Sequence, residues 1–205
     1  MKQSIPKLPR GRPRTFDRAT ALQAALKLFL ERGYEGTALS DLVAAMGIAP
    51  PSLYAAFGSK EGLYRETLDL YLEGRGRFVS RALERKGLCC EDLVRQILRD
   101  AAVAFTPGGD DVPGCMVSAT MLACSPNNRE VGDHVKALRA APTRAVAQRI
   151  EQAKANGELP PSVNSEALAR FFASVVAGMS IQARDGATRR QLLELAESAM
   201  QAWPK

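Results

Sequence analysis

The sequence predicts an all-α fold of about nine helices, on three observations. From Phe16 onward, apolar residues recur at intervals of three and four, the period of a helix with one buried face. No stretch alternates β-branched and polar residues for long enough to build a sheet. Glycine, proline and asparagine-rich breaks cut the chain at intervals of helix length.

The elements follow in order. Leu22, Ala25, Leu26 and Phe29 keep the spacing i, i+3, i+4, i+7 between Asp17 and Gly33, which predicts a helix over about 17–32 with a glycine stop. Thr37 is the expected cap of a short helix, Leu39 to Met46, that ends at Gly47. Pro50-Pro51 can only open a helix, because proline is tolerated in the first turn and not later, so a third runs over roughly 50–56 and closes at Phe57-Gly58. Ser59 caps a fourth, which Leu63, Leu68, Tyr71 and Leu72 carry into the following segment. Breaks at Gly87, Pro107 to Asp111, Ser125 to Asn128, Asn156-Gly157 and Asp185-Gly186 then leave helices near 91–106, 114–124, 128–155, 165–183 and 188–203. Pro142 lies inside the 128–155 segment and predicts a kink near Leu138 to Ala141.

Composition narrows the function. The chain has 205 residues, 46% hydrophobic and 24% charged, enough for a real core. No run approaches the ~18 apolar residues of a membrane span, and the basic N-terminus has no apolar segment behind it, so a cytoplasmic protein without a membrane partner is expected. A single histidine, His134, leaves little for histidine-based catalysis, and four cysteines without a C-x-x-C spacing suggest neither zinc nor a disulfide framework. No enzyme, cofactor or metal site is expected. Residues 1 to 20 hold six basic residues against Asp17 alone, net +5 of the chain's +6. The basicity is an arm, extended by Pro6, Pro9, Gly11 and Pro13, and a cationic arm without apolar residues points to nucleic acid.

Between Leu39 and Phe57 the spacing is that of a helix-turn-helix: Val43, Gly47, Ile48 and Leu53 let two short helices cross closely. With G-Y-x-G-T at 33–37, D-L-x-x-x-x-G-I at 41–48 and S-L-Y-x-x-F-x-S-K-E at 52–61, the chain resembles the DNA-binding domain of the TetR/AcrR family of bacterial transcriptional regulators over roughly residues 15–70. The charge and proline content set off a flexible basic arm over 1–15, and the resemblance implies a helix-turn-helix three-helix DNA-binding domain over 16–72 and a ligand-binding and dimerisation domain over 73–205. It implies a regulator, most commonly a repressor released by a small molecule, that binds an inverted-repeat operator on double-stranded DNA as a homodimer.

Matched position by position, the resemblance places Thr37 at a helix N-terminus facing a phosphate, Ser52 and Tyr54 on the DNA backbone through their hydroxyls, and Lys60 on a phosphate. Leu53 and Phe57 match core positions. The departures are Ala49 where relatives often have a serine cap, Pro50-Pro51 where a basic residue and glycine are usual, and Ala55-Ala56 in place of a frequent His-His. The recognition helix therefore offers no Arg, Lys, Asn or Gln for base edges, and readout must lean on apolar contacts such as thymine methyls and on something outside the helix. Arg10, Arg12 and Arg14, in Pro9-Arg10-Gly11-Arg12-Pro13-Arg14, resemble the core of an AT-hook, whose arginines follow a narrow A·T minor groove.

In the second domain, Phe105, Met116, Met121, Phe171, Val175 and Met179 are the candidate walls of a ligand pocket, since methionine-rich surfaces adapt to apolar ligands. Val176, Leu192, Leu195, Ala199 and Trp203 are the candidate dimer interface, because the family pairs the corresponding helices into a four-helix bundle. Cys89, Cys90, Cys115 and Cys124 read as structural or incidental thiols, and His134 as a solvated or hydrogen-bonded residue. The alternatives are a redox-responsive regulator that uses its cysteines, an architectural binder of A·T tracts, and an enzyme with an appended DNA-binding region.

Overall fold

The computed structural model describes residues 17–122 and 124–205. Among these are ten α-helices and two short 3-10 turns, with no strand. The N-terminal unit consists of α1 (Arg18–Arg32), α2 (Leu39–Met46) and α3 (Pro50–Phe57), with α4 (Lys60–Glu73) packed on α1. Asp17 caps α1 by accepting from the Ala19 N–H at 3.0 Å, and the Thr20 hydroxyl donates to the same carboxylate at 2.6 Å. Ser59 caps α4 by accepting from the Gly62 N–H at 2.9 Å. The unit's centre is aromatic: Tyr64 of α4 lies 4.9 Å from both Phe29 and Tyr34, edge-on to the first.

The C-terminal unit holds α5 (Phe78–Glu84), α6 (Cys90–Phe105), α7 (Met116–Ala119), α8 (Arg129–Ala155), α9 (Ser165–Arg184) and α10 (Arg189–Met200). Helix α6 is central, packed by α5, α8, α9 and α10. Arg95 and Arg99 of α6 both reach Glu197 of α10, at 2.5 and 2.9 Å. Helix α8 runs unbroken through Pro142, although proline cannot donate to the Leu138 carbonyl.

Three sequence expectations are corrected. A separate helix, α5, follows the Arg75–Arg77 turn where none was foreseen, because the Gly74–Gly76 stretch ends α4. The helix expected over 114–124 is the single turn α7, and Arg139 of α8 takes the carbonyls this leaves open, donating to Val117 O at 3.1 Å and, more weakly, Met121 O at 3.5 Å. Thr37 does not cap α2. Ala38 occupies that position, while the buried Thr37 hydroxyl donates to Gly33 O at 2.6 Å.

The two units meet along α1 and α4. Arg184 of α9 donates to Leu30 O and Glu31 O at the end of α1, at 2.7 and 2.9 Å. Tyr64 and Thr120 share a hydroxyl hydrogen bond of 2.8 Å, and Glu35 accepts from Ser125 N and Asn128 Nδ2 at 2.8 and 2.9 Å.

Candidate nucleic-acid interface and internal cavity

Helices α2 and α3 owe their crossing to Gly47, whose φ of +65° and ψ of +31° are left-handed. A glycine reverses the chain there without steric cost, and Ile48 N then donates to Val43 O at 3.1 Å. Helix α3 is held on its inner side by Leu53 and Phe57, both buried as expected. Arg18 fixes it further, with its guanidinium 4.6 Å from the Phe57 ring centroid and paired to Glu66 of α4.

The outer side carries Ala49, Pro50, Pro51, Tyr54 and Ala55, all exposed, with Ser52 half-buried beside them. Tyr54 is 50% exposed, so its hydroxyl is free to reach a backbone phosphate. The N-terminus of α3 is unlike a usual anion site. Pro50 and Pro51 have no N–H, and those of Ser52 and Leu53 are taken by Ala49 O at 3.0 and 3.3 Å. The first turn therefore presents carbon rather than donors, and no side chain caps it.

Lys60 opens α4 with its ammonium 4.2 Å above the Tyr34 ring centroid. Partial burial lowers its pKa, and Glu35 opposes that. Thr37 lies close by in the chain, but its side chain is turned inward and offers no hydroxyl to a phosphate. Arg10, Arg12 and Arg14 lie outside the described residues.

A cavity of about 770 Å³ opens in the C-terminal unit between α4, α5, α6, α8 and α9. Leu83, Ile97, Leu98, Val146, Phe172 and Val176 supply much of its apolar wall, with Pro142 beside them. None of the six residues expected to form such a pocket lines it. Phe105, Met116, Met121 and Met179 are spent in the solid core, Phe171 is 41% exposed on the outside of α9, and Val175 is half-buried. Which apolar stripe faces a void depends on the helices around it, and that is not encoded in one helix's spacing. Tyr71, Cys115 and Arg139, which do line the cavity, went unrecognised. The sequence signal nearest to them was Pro142, a proline inside a long helix.

The expected interface is redistributed too. Leu192 and Trp203 are buried within the chain, Trp203 against Phe172 at 5.8 Å, and Val176 faces the cavity. Leu195 and Ala199 stay half-exposed on α10, while Phe171 and Ile181 project from α9, Ile181 at 46% exposure. Cys89 and Cys124 are exposed thiols; Cys90 and Cys115 are buried ones, and burial pushes the Cys90 thiol up to about 11. His134 is half-buried, and its Nε2 has no hydrogen-bond partner among the described residues.

Comparison with known proteins accounts for both units. Residues 21–67 match the bacterial regulatory proteins of the tetR family, and residues 94–200 match the tetracyclin repressor-like C-terminal domain. The HTH-type transcriptional repressor ComR of Escherichia coli (strain K12) is 39% identical over 97% of this chain and 94% of its own length. The repressor BdcR of the same organism is 31% identical over 94% of this chain and 91% of its own. A cysteine mutant of the TetR family transcriptional regulator CifR, solved with 26-base-pair double-strand operator DNA, is 42% identical, covers 94% of this chain and 100% of its own, and superposes with a TM-score of 0.86. These relatives are regulators of transcription rather than enzymes. No described helix is long and apolar enough to cross a membrane. With a helix-turn-helix whose outer face is free, joined to a helical unit of matching architecture, the chain belongs to the TetR family and is a DNA-binding transcriptional regulator.

Proposed function

We propose that this protein is a cytoplasmic repressor that binds an inverted-repeat operator as a homodimer and leaves it when a small molecule enters the cavity. The observation that carries the reading is the outward face of α3: Leu53 and Phe57 lock the helix, while Tyr54 stays half exposed on the opposite side. In this reading the DNA-binding domain spans 16–72 and the ligand-binding and dimerisation domain 73–205. Tyr54, Ser52 and Lys60 position the protein on phosphates, and the Ala49-Pro50-Pro51 nose meets the floor of the major groove, where only methyl contacts suit it. Thr37 contributes by fixing the α1–α2 turn through its bond to Gly33 O rather than by touching DNA. The arm over 1–15, through Arg10, Arg12 and Arg14, reads an adjoining A·T minor groove and supplies the sequence preference that α3 lacks.

The dimer uses the outer faces of α9 and α10. Phe171, Val175, Gly178 and Ile181 recur on α9 at i, i+4, i+7 and i+10, and Leu195 and Ala199 on α10. Such residues support a second copy as partner, since two-fold symmetry pairs like with like.

Selection of bound duplexes from a random pool tests the reading. Two half-sites related by inversion, about one helical turn or slightly more apart, flanked by A·T tracts, are expected. Enrichment of A·T tracts without a repeated half-site would replace it with an architectural role.

A further inference from the structure

We infer that the cavity takes an organic anion, a carboxylate or sulfonate on an apolar body, with Arg139 receiving its charge. This rests on the reading of the cavity as the effector site.

The wall is apolar over most of its area but lopsided in charge: Arg77, Arg139 and Arg170 line it, and among the described residues no Asp or Glu does. Two of these charges are already offset, Arg77 by Glu84 at 2.9 Å and Arg170 by Glu166 at 3.2 Å, both at exposed positions. Arg139 is different. It is half-buried, its guanidinium donates only to the carbonyls of Val117 and Met121, and it has no carboxylate partner among the described residues. A guanidinium carries five N–H donors, so most of its capacity is unused.

The polar inventory of the wall points the same way. The hydroxyls of Ser80, Thr143 and Ser174 are spent on the carbonyls of Arg77, Arg139 and Arg170. Tyr71 lines the cavity at 2% exposure, but its hydroxyl is sealed from the void beside Cys115 and Arg75. Burial and the neighbouring Cys115 push its pKa well up, with Arg75 opposing, so the phenol stays protonated and adds no negative charge to the wall. Arg75, with its guanidinium 5.6 Å from the Tyr71 ring centroid, adds positive potential behind the wall. A cationic ligand would meet Arg139 with no carboxylate to offset it among the described residues, and a neutral one would leave its donors unmatched. A volume of about 770 Å³ suits a drug-sized body.

Occupancy would be felt by the DNA-binding unit. Arg139 holds the C-terminal carbonyls of α7, and Thr120 in the same segment bonds Tyr64 of α4, the helix that begins at Lys60. An anion that draws the guanidinium away from Val117 O and Met121 O loosens that link.

The test uses two dyes on the full chain: 1-anilinonaphthalene-8-sulfonate and N-phenyl-1-naphthylamine, which share a ring system and differ by the sulfonate. Fluorescence titration should give the sulfonate about tenfold tighter binding, from one charge-assisted contact. Arg139→Gln should erase that preference while the neutral dye binds as before, and Arg139→Lys, which keeps the charge, should preserve a preference for the sulfonate. Should Arg139→Gln fail to fold, a salt titration of the wild type decides, since screening should shrink the sulfonate preference and leave the neutral dye unaffected. Ala173→Phe, which fills the cavity, should abolish both dyes. Binding of both dyes in the cavity without preference, or a preference that survives Arg139→Gln or is indifferent to salt, overturns the inference and leaves the effector reading standing. Dye that persists in Ala173→Phe, or no binding at all to the wild type, overturns both.

Discussion

Lys60 and Tyr54 are held differently, and the difference predicts how each substitution behaves. Tyr54 is half exposed with its hydroxyl free, so Tyr54→Phe should weaken binding to every duplex by the worth of one hydrogen bond, about 0.5–1.5 kcal/mol, without changing the preferred sequence. Lys60→Ala should likewise act on all sequences alike and lower the slope of log K against log salt by roughly one. It also removes the ammonium from the Tyr34 ring, so its melting temperature should fall slightly as well. A shifted sequence preference in either variant would contradict phosphate positioning. His134 is the residue whose titration matters to stability near neutral pH. Burial and Arg65 hold its pKa below the ordinary value of 6.5, with Asp69 and Glu61 opposing. The unfolded chain therefore binds the extra proton first, and stability falls as pH drops through about 6.5. Carboxylates held below 4.5, such as Glu35 by Asn128 and Glu197 by Arg99, lose their contributions only at lower pH. Denaturant melts should show that His134→Gln loses less stability than wild type between about pH 7 and pH 5.5. Identical profiles in that interval would rule His134 out.

Among the elements, the end of α1 and the loop after α7 are fitted to each other through Gly33. Its φ is +71°, and a Cβ there would lie 2.9 Å from Thr120 O, a backbone atom that cannot swing aside. Gly33→Ala should cost about 1–3 kcal/mol in unfolding free energy, and the strain should fall on the seam between the units. The Tyr64–Thr120 bond and the Arg184 clamp on α1 stand on that seam, so operator affinity should drop with stability. Unchanged melting would show that the seam yields more easily than its backbone contact implies. At α3, the missing side-chain cap forgoes about 1 kcal/mol relative to serine, which the fixed φ of Pro50 partly offsets.

On the scale of the whole molecule, two surfaces decide assembly. Phe171→Glu together with Ile181→Glu places charge on the exposed apolar face of α9; neither residue lines the cavity, and the core contact given up is the edge-on packing of Phe171 on Phe172 at 5.0 Å. The expected outcome is a monomer by sedimentation at micromolar concentration, a fold unchanged by circular dichroism, and loss of cooperative binding to a two-half-site duplex. A dimer of unaltered affinity would move the interface elsewhere. Deleting residues 1–14 removes Lys2, Lys7, Arg10, Arg12 and Arg14. Affinity and salt dependence should both fall, most where an A·T tract adjoins the half-site. The Arg10→Lys, Arg12→Lys double variant keeps the charge, so its equal binding to A·T-flanked and G·C-flanked operators, with the wild type equally indifferent, would reduce the arm to simple electrostatics.

What the sequence determined by itself is local. The caps Asp17 and Ser59, the stop at Gly33, the Gly47 turn and the burial of Leu53 and Phe57 follow from short-range rules, because the partners lie within a few residues of each other or on one helix face. The short elements between long helices were less legible. Helix α5 and the truncated α7 depend on tertiary partners, α7 on Arg139, which arrives from eighteen or more residues downstream. The cavity and the outer faces of α9 and α10 were decided by tertiary structure alone. Met179 and Val176 belong to the same helix, yet one is sealed in the core and the other faces the void. An apolar stripe records only that a face leaves water. Whether it meets another side chain, an empty space or a second subunit is set by how helices distant in sequence pack around it.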